Sequence, residues 1–259
     1  MLAEERRRKL LDALKKNGAL SVAAASDLLQ VSRMTVHRDL DAMAAAGMLR
    51  KVHGGAVPVI SRATTRETAR SFTERRPANA PAKERIAEHL AKILENANTL
   101  ALDASTTIFA LAQTLKNRTE APGTFVLSNG VPLFQELHKR NAGFRLALTG
   151  GEPHPRTGSL VGPLAIKSLE GLRFDFTVVS AAGYMTDEGQ VFDSTPEGAA
   201  VKQALLARAT KKVLAIDRTK VNFLAPYPLG VISDFDIYVT EDGIQEIPRG
   251  KKHHHTVAS

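Results

Sequence analysis

The chain has 259 residues, 43% of them hydrophobic and 24% charged, with a formal net charge of +8 and no cysteine. That length allows one or two domains of about 100 to 200 residues each, and the absence of cysteine excludes disulfides and thiolate metal sites, which fits a reducing cytoplasm. No apolar leader core follows Met1-Leu2, and no apolar run approaches the roughly 18 residues that span a bilayer, so export and membrane insertion are not expected.

The positive charge is unevenly placed. Residues 1–57 carry ten Lys/Arg against six Asp/Glu, residues 58–82 five against two, and the remaining 177 residues twenty against nineteen. A localised basic excess points to a polyanion, because neutralising phosphates releases condensed counterions. Double-stranded DNA is the leading candidate. A membrane surface is disfavoured, because no segment pairs a Lys/Arg face with bulky inserting aromatics.

The first segment reads as three short helices. The first runs from Ala3 to Lys16 with Leu10, Leu11 and Leu14 as its apolar stripe and Asn17-Gly18 as its stop. The second is capped by Ser21 and buries Val22, Ala25, Leu28 and Leu29. Only Gln30 and Val31 separate it from Ser32, the cap of the third, so the two helices must meet steeply. In the third, Val36, Leu40 and Met43 fall on one face and leave Arg33, Thr35, His37 and Arg38 on or near the other. A helix-turn-helix presents such residues to base edges in the major groove. After Gly47, "MLRKVHGGAV" reads as a β-hairpin wing turning at Gly54-Gly55, with Lys51 and His53 available to phosphates. A generic three-helix bundle is the plain alternative. The two-residue turn, the basic helix start and the glycine hairpin together favour DNA.

The stretch "VSRMTVHRDLDAMAAAGMLRKVHGGAV" resembles the winged helix of the DeoR family of bacterial transcription regulators, through Val31-Ser32, Thr35-Val36, His37-Arg38, Asp39-Leu40, Gly47 and His53-Gly54-Gly55-Ala56. His37 stands where the family has Arg, replacing a bidentate fork with an imidazole of shorter reach, which implies altered operator preference. The resemblance continues through "SFTERR" and "KERIAEHLAKIL" over nearly the whole chain.

Residues 58–82 form an expected connector, with Pro58, Pro77, Pro81 and five arginines; a short helix around Glu67 to Arg76 is possible, and the arginines could add phosphate contacts to DNA. From Lys83 the pattern alternates. A helix with Ile86, Leu90 and Ile93 precedes "TLALD" (99–103), then come a helix over 106–115, "TFVLS" (124–128), a helix over 131–139, and "FRLALT" (144–149). Further helices near 164–169 and 197–208 alternate with "DFTVVS" (175–180), "KVLAID" (212–217) and "FDIYVT" (235–240). This predicts an α/β fold, an N-terminal winged helix-turn-helix domain over 1–57 followed by a Rossmann-like, mostly parallel sheet domain over 83–250, with a tail at 251–259.

Such sheets bind ligands beyond the carboxyl ends of their strands. There stand Asp103 with Ser105, Thr106 and Thr107 at a helix start, then Ser128-Asn129, then Gly150-Gly151. Helix capping accounts for any one of these loops. Their repetition on successive strands points to a shared anion pocket, since free N–H groups and hydroxyls at helix starts hold phosphates. This half resembles the DeoR sensor domain, itself similar in fold to ribose 5-phosphate isomerase, with Ser105 in place of the family glycine and Ser128 in place of threonine. The resemblance implies Glu197 and Asp217 as acceptors for sugar hydroxyls and Lys202 and Lys220 as phosphate partners. On residues alone these read equally well as capping carboxylates and solvated lysines.

The expected function is a DNA-binding regulator, a repressor of carbohydrate catabolism genes whose operator binding is shifted by a phosphorylated sugar. The alternative is a sugar-phosphate isomerase with a basic appendage, using Glu197, Asp103 or Asp217 as base; it leaves the first 57 residues without a purpose. Recognition of paired half-sites predicts a homodimer or homotetramer. No pattern calls for a cofactor or metal: the three histidines of "KKHHHTVAS" lack the i, i+4 spacing of helical ligands and read as a tail.

Overall fold

The computed structural model describes residues 2–17, 20–46, 48–52, 54–58, 61–62, 70–115, 123–140 and 143–247. Gly18, Gly47, His53 and the residues 248–259, with the histidine tail, lie outside that set. The chain divides into two compact units, one of Met1–Arg62 with Thr186–Glu188 and one of the remaining residues.

The first unit is built on α1 (Ala3–Asn17), α2 (Val22–Leu29) and α3 (Arg33–Ala45). Each helix contributes a stripe at helical spacing: Leu10 and Leu14; Val22, Ala25 and Leu29; Val36, Leu40 and Met43. These side chains meet in one core, where full burial of each large one contributes about 1.5 to 3 kcal/mol. Leu28, expected inside, is 50% exposed. On so short a helix the stripe of Val22, Ala25 and Leu29 is set, and Leu28 falls roughly 100° off it. A three-stranded antiparallel sheet closes the unit, ordered β1 (Leu20–Ser21), β3 (Gly55–Pro58) and β2 (Leu49–Val52). Strand β1 gives no signal in the sequence, being two residues paired with Ala56 and Gly55. That pairing requires glycine at 55, because a Cβ there would stand 2.3 Å from the Leu20 carbonyl oxygen.

The second unit begins earlier than the sequence suggests. Residues from Ser71 onward, expected within the connector, carry α4 (Phe72–Arg75), closed by a Ser71/Glu74 capping box, and the start of α5 (Ala80–Ile93). The cause is burial: the Phe72 ring meets Phe109 edge-on at 5.4 Å, and the Phe72 N–H donates to the Arg156 carbonyl at 2.7 Å.

Beyond α5 come β4 (Thr99–Leu102), α6 (Thr106–Thr114), β5 (Phe125–Ser128), α7 (Val131–Lys139), β6 (Arg145–Leu148), α8 (Pro163–Lys167) and β7 (Phe174–Val179). After them follow β8 (Gly183–Met185), β9 (Gln190–Asp193), α9 (Pro196–Leu206), β10 (Ala209–Ala215), β11 (Tyr227–Val231), β12 (Ile237–Thr240) and β13 (Gly243–Glu246). Seven strands form one sheet in the order β13-β12-β10-β7-β4-β5-β6, parallel except for β13 at the edge. Strand alternation sends Leu100, Leu102 and Val126 to a core with α5, α6 and α7, and Ala101 and Leu127 to a second core with α8 and α9. Strands β8, β9 and β11 make a separate small antiparallel sheet.

The strand order fixes where a ligand is favoured. The chain steps from β4 to β5 to β6, then returns to lay β7 on the other side of β4. This reversal opens a crevice beyond the carboxyl ends of β4 and β7, the topological switch point of an open sheet. Asp103 follows β4 and Ser180 follows β7.

Candidate functional site

The first polar site is the start of α3. Gln30 ends α2 with a left-handed backbone (φ 53°), its N–H donating to the Ser26 carbonyl, and the Ser26 hydroxyl donates to the Val31 carbonyl at 2.6 Å. The Ser32 side chain then accepts from the Thr35 N–H at 3.2 Å and lies 3.0 Å from the Thr35 hydroxyl, so these two residues build the cap. Arg33, His37 and Arg38 are exposed around it, and Thr35 is half-buried. Met34, between them, is 64% exposed. The opposite face is anchored by Asp39, 3% exposed, whose carboxylate accepts from Arg6 at 2.7 and 3.2 Å and pairs with Arg7 at 3.4 Å. The sequence marked Asp39 only as part of the family pattern and gave it no role; its ion pairs fix α3 against α1. Lys51 is exposed but bound to Asp41 at 2.5 Å, so a phosphate would have to compete for it. His53 is outside the described residues.

The second polar site is the switch point. Asp103, fully buried, accepts from the Ser105 N–H at 2.9 Å with one oxygen and from the Ser180 N–H at 2.9 Å with the other. Lys202 lies 3.2 Å from Asp103 and 2.6 Å from Asp193, and donates to the Ser180 carbonyl at 2.8 Å. The ammonium group thus has one hydrogen bond and two close ion pairs. Lys202 is therefore a largely buried member of this cluster and not the solvated lysine that the residues alone allowed. Burial opposes the Lys202 charge, but the two carboxylates outweigh it and raise its pKa. Burial likewise raises Asp193, while the Lys202 charge and hydrogen bonds from Lys202, Ser194 and Thr195 outweigh it and hold the carboxyl below its ordinary value.

Around this cluster stand the other expected residues. The Ser105 hydroxyl caps α6 by accepting from the Ile108 N–H at 3.2 Å. Thr106 and Thr107 are buried in its first turn, with the Thr107 hydroxyl 3.4 Å from that of Ser180. The Ser128 hydroxyl accepts from the Gly130 N–H at 2.9 Å. Asn129 donates to the Leu160 carbonyl at 3.1 Å, while its buried side-chain oxygen has no hydrogen-bond partner. Gly151 needs no ligand to explain it: its φ is +118°, and a Cβ would meet the Val161 carbonyl oxygen at 2.5 Å. Gly150 has neither constraint.

Two carboxylates fall differently from expectation. Glu197 is exposed in the first turn of α9, where it suits the helix dipole, and does not join the cluster. Asp193, four residues earlier, takes the place beside Lys202. Asp217 is buried but occupied as a cap, accepting from the Thr219 N–H at 3.2 Å, the Thr219 hydroxyl and the Asn79 amide at 3.2 Å. Lys220 lies 5.8 Å from the centre of the Phe223 ring. The sequence did contain a signal for Ser180, since "DFTVVS" ends in a hydroxyl as "TFVLS" and "FRLALT" do. Asp193 carried none.

A helix-turn-helix with an exposed basic helix start, joined in one chain to an open α/β domain with a polar switch point, defines a DNA-binding regulator of the winged-helix class. The DeoR-like helix-turn-helix domain matches residues 6–62, and the DeoR C terminal sensor domain matches residues 78–242. The HTH-type transcriptional regulator GolR of Listeria innocua is 31% identical, covering 95% of this chain and 93% of that one. The lactose phosphotransferase system repressor of Lactococcus lactis is also 31% identical, covering 94% and 93%. The chain belongs to the DeoR family of transcriptional regulators. Among solved structures, ribose 5-phosphate isomerase A of Methanocaldococcus jannaschii covers 56% of this chain and 55% of its own, at 12% identity and a TM-score of 0.42. Among the described residues, no helix is long and apolar enough to cross a membrane.

Proposed function

We propose that this chain is a repressor of carbohydrate catabolism genes whose hold on its operator is set by a phosphorylated sugar bound at the switch point of the second unit. The observation that carries the reading is the pairing of two sites in one chain: an exposed basic helix start and a buried charged cluster where open sheets take ligands. Ser32, Arg33, Thr35, His37, Arg38 and Lys51 are the residues assigned to DNA. Asp103, Ser105, Thr106, Thr107, Asn129 and Lys202 are assigned to the effector site, and residues 1–57 and 83–250 to the two functions. The relatives named for lactose phosphotransferase repression support the sugar side of the reading. Binding to a two-fold operator calls for a homodimer or homotetramer. The isomerase alternative has less behind it, because Asp103 and Asp217, two of the three carboxylates that could serve as its base, are already committed to holding loops together, and the third, Glu197, stands outside the cluster.

The test is fluorescence anisotropy with a labelled duplex from the region upstream of the chain's own gene. Binding should weaken steeply with salt, as phosphate contacts require, and one of glucose 6-phosphate, fructose 6-phosphate or ribose 5-phosphate should change the operator affinity by about tenfold or more, a coupling near 1.4 kcal/mol. Turnover of a sugar phosphate without any operator binding would reverse the assignment.

A further inference from the structure

The outward face of α3 carries one side chain that charge does not explain. Counting about 100° per residue around the helix, Val36, Asp39, Leu40 and Met43 share one side, and all four are buried. Met34 falls almost directly opposite the middle of that group. By the same count His37 stands roughly 60° to one side of Met34 and Arg38 roughly 40° to the other, and both are exposed. Arg33, also exposed, precedes it in the first turn. At 64% exposure, Met34 is thus a bare thioether chain at the centre of a basic face.

The outward side of a surface helix is ordinarily polar, and nothing inside the first unit asks for methionine here. The core of that unit is complete without it. Ser32 and Thr35 build the cap between them, and Asp41, two turns further along the same face, is held by Lys51 at 2.5 Å. The side chain therefore waits for something that is apolar yet ringed by negative charge. The major groove of DNA has that character: phosphates line its rim, and the thymine methyl group is the apolar feature on its floor. Methionine has no strong donor or acceptor with which to read the polar edges of the other bases. Its unbranched chain adapts its reach to a methyl group.

We propose that Met34 reads a thymine through its C5 methyl group, as the apolar centre of the recognition surface. The inference rests on the DNA-binding reading given above and adds to it a residue that determines specificity. The flanking cations supply affinity that falls with salt, whereas Met34 supplies a discrimination that salt leaves unchanged, because no charge takes part in it.

The experiment uses the full chain and the duplex that it enriches from a random-sequence library. Each thymine of that duplex is replaced in turn by deoxyuridine, which removes one methyl group and keeps every hydrogen-bonding edge. One replacement should weaken wild-type binding by about fourfold, the worth of one buried methyl group, and that ratio should hold from low to high salt while both affinities fall. Met34→Ala should bind the thymine duplex at least about fourfold more weakly and make no distinction between thymine and uridine at that position. The variant should melt with wild type, since alanine is the best helix former and the position is exposed. Equal uridine penalties in variant and wild type overturn the role of Met34, because another residue then reads the methyl group. A wild-type chain indifferent to every uridine overturns it as well. If the full chain enriches no duplex at all, the DNA-binding reading beneath the inference falls instead.

Discussion

The two polar sites of this chain are built on opposite plans. At the start of α3 the side chains that would meet DNA stand outside, and a separate set of residues, Val36, Leu40, Met43 and Asp39, holds the helix from behind. At the switch point the polar groups face one another: Asp103, Asp193 and Lys202 satisfy each other's charges, and three loops depend on the arrangement. In the first site, structure and recognition are carried by different residues. In the second they are carried by the same ones. A substitution should thus separate affinity from folding in the first unit and fail to do so in the second.

The largest effect tests that contrast directly. Lys202→Met removes the cation between two buried carboxylates, and breaking such a pair costs about 3 to 5 kcal/mol. Urea denaturation should show that loss, and the double variant with Asp193→Asn should recover part of it, because the two residues are coupled. A Lys202→Met chain as stable as wild type would break the comparison.

Next in size is a dependence on pH. Burial lowers the Lys83 pKa from 10.5 to about 8, with Asp217 pulling it up and Lys220 and Arg75 pushing it down. Between those two values the unfolded chain binds more protons than the folded one, so stability should rise with pH across that window. The gain should vanish in Lys83→Met. At the acid end the sign is reversed for Asp193. Its depressed carboxyl contributes stability above the ordinary carboxylate value, and that contribution is lost as pH falls through the lower folded value. Denaturation midpoints over pH 2 to about 11 check both.

On the DNA side, Arg38→Ala should weaken operator binding by about 1 to 3 kcal/mol, with relaxed sequence preference only if a base is contacted. Its melting curve should stay with wild type, since the side chain is exposed.

The same division explains what could be read in advance. Caps, stripes and turns are local, so α2, α3 and the wing were legible, as were the strands from Thr99 to Thr240 that alternate with helices. Strand β1, the edge strand β13 and the small β8-β9-β11 sheet were not, because their pairing partners are distant and their runs are short. At the candidate site, Asp103 and Lys202 were marked by position and resemblance, but Asp193 was not. Asp193 resembles any carboxylate before a helix start, and α4 sits in a stretch whose composition suits an exposed connector. The contact of Phe72 with Phe109, distant in sequence, helps turn that stretch inward.

The smallest expected effect probes the residue where the two plans meet. Ser32 both caps α3 and stands at the face assigned to DNA. Ser32→Asp keeps the cap, as aspartate is among the preferred residues there, and its charge suits the positive end of the helix dipole. Folding stability should hold or rise by a few tenths of a kcal/mol. The same charge placed against a phosphate backbone should weaken operator binding by about 1 kcal/mol, roughly fivefold. Ser32→Gly gives the converse, a weaker cap at the cost of only a few tenths with no added repulsion, and its operator affinity should stay close to wild type. If the aspartate variant binds its operator as tightly as wild type at low salt, where repulsion is least screened, the start of α3 does not face DNA, and the separation of affinity from folding in the first unit has no basis.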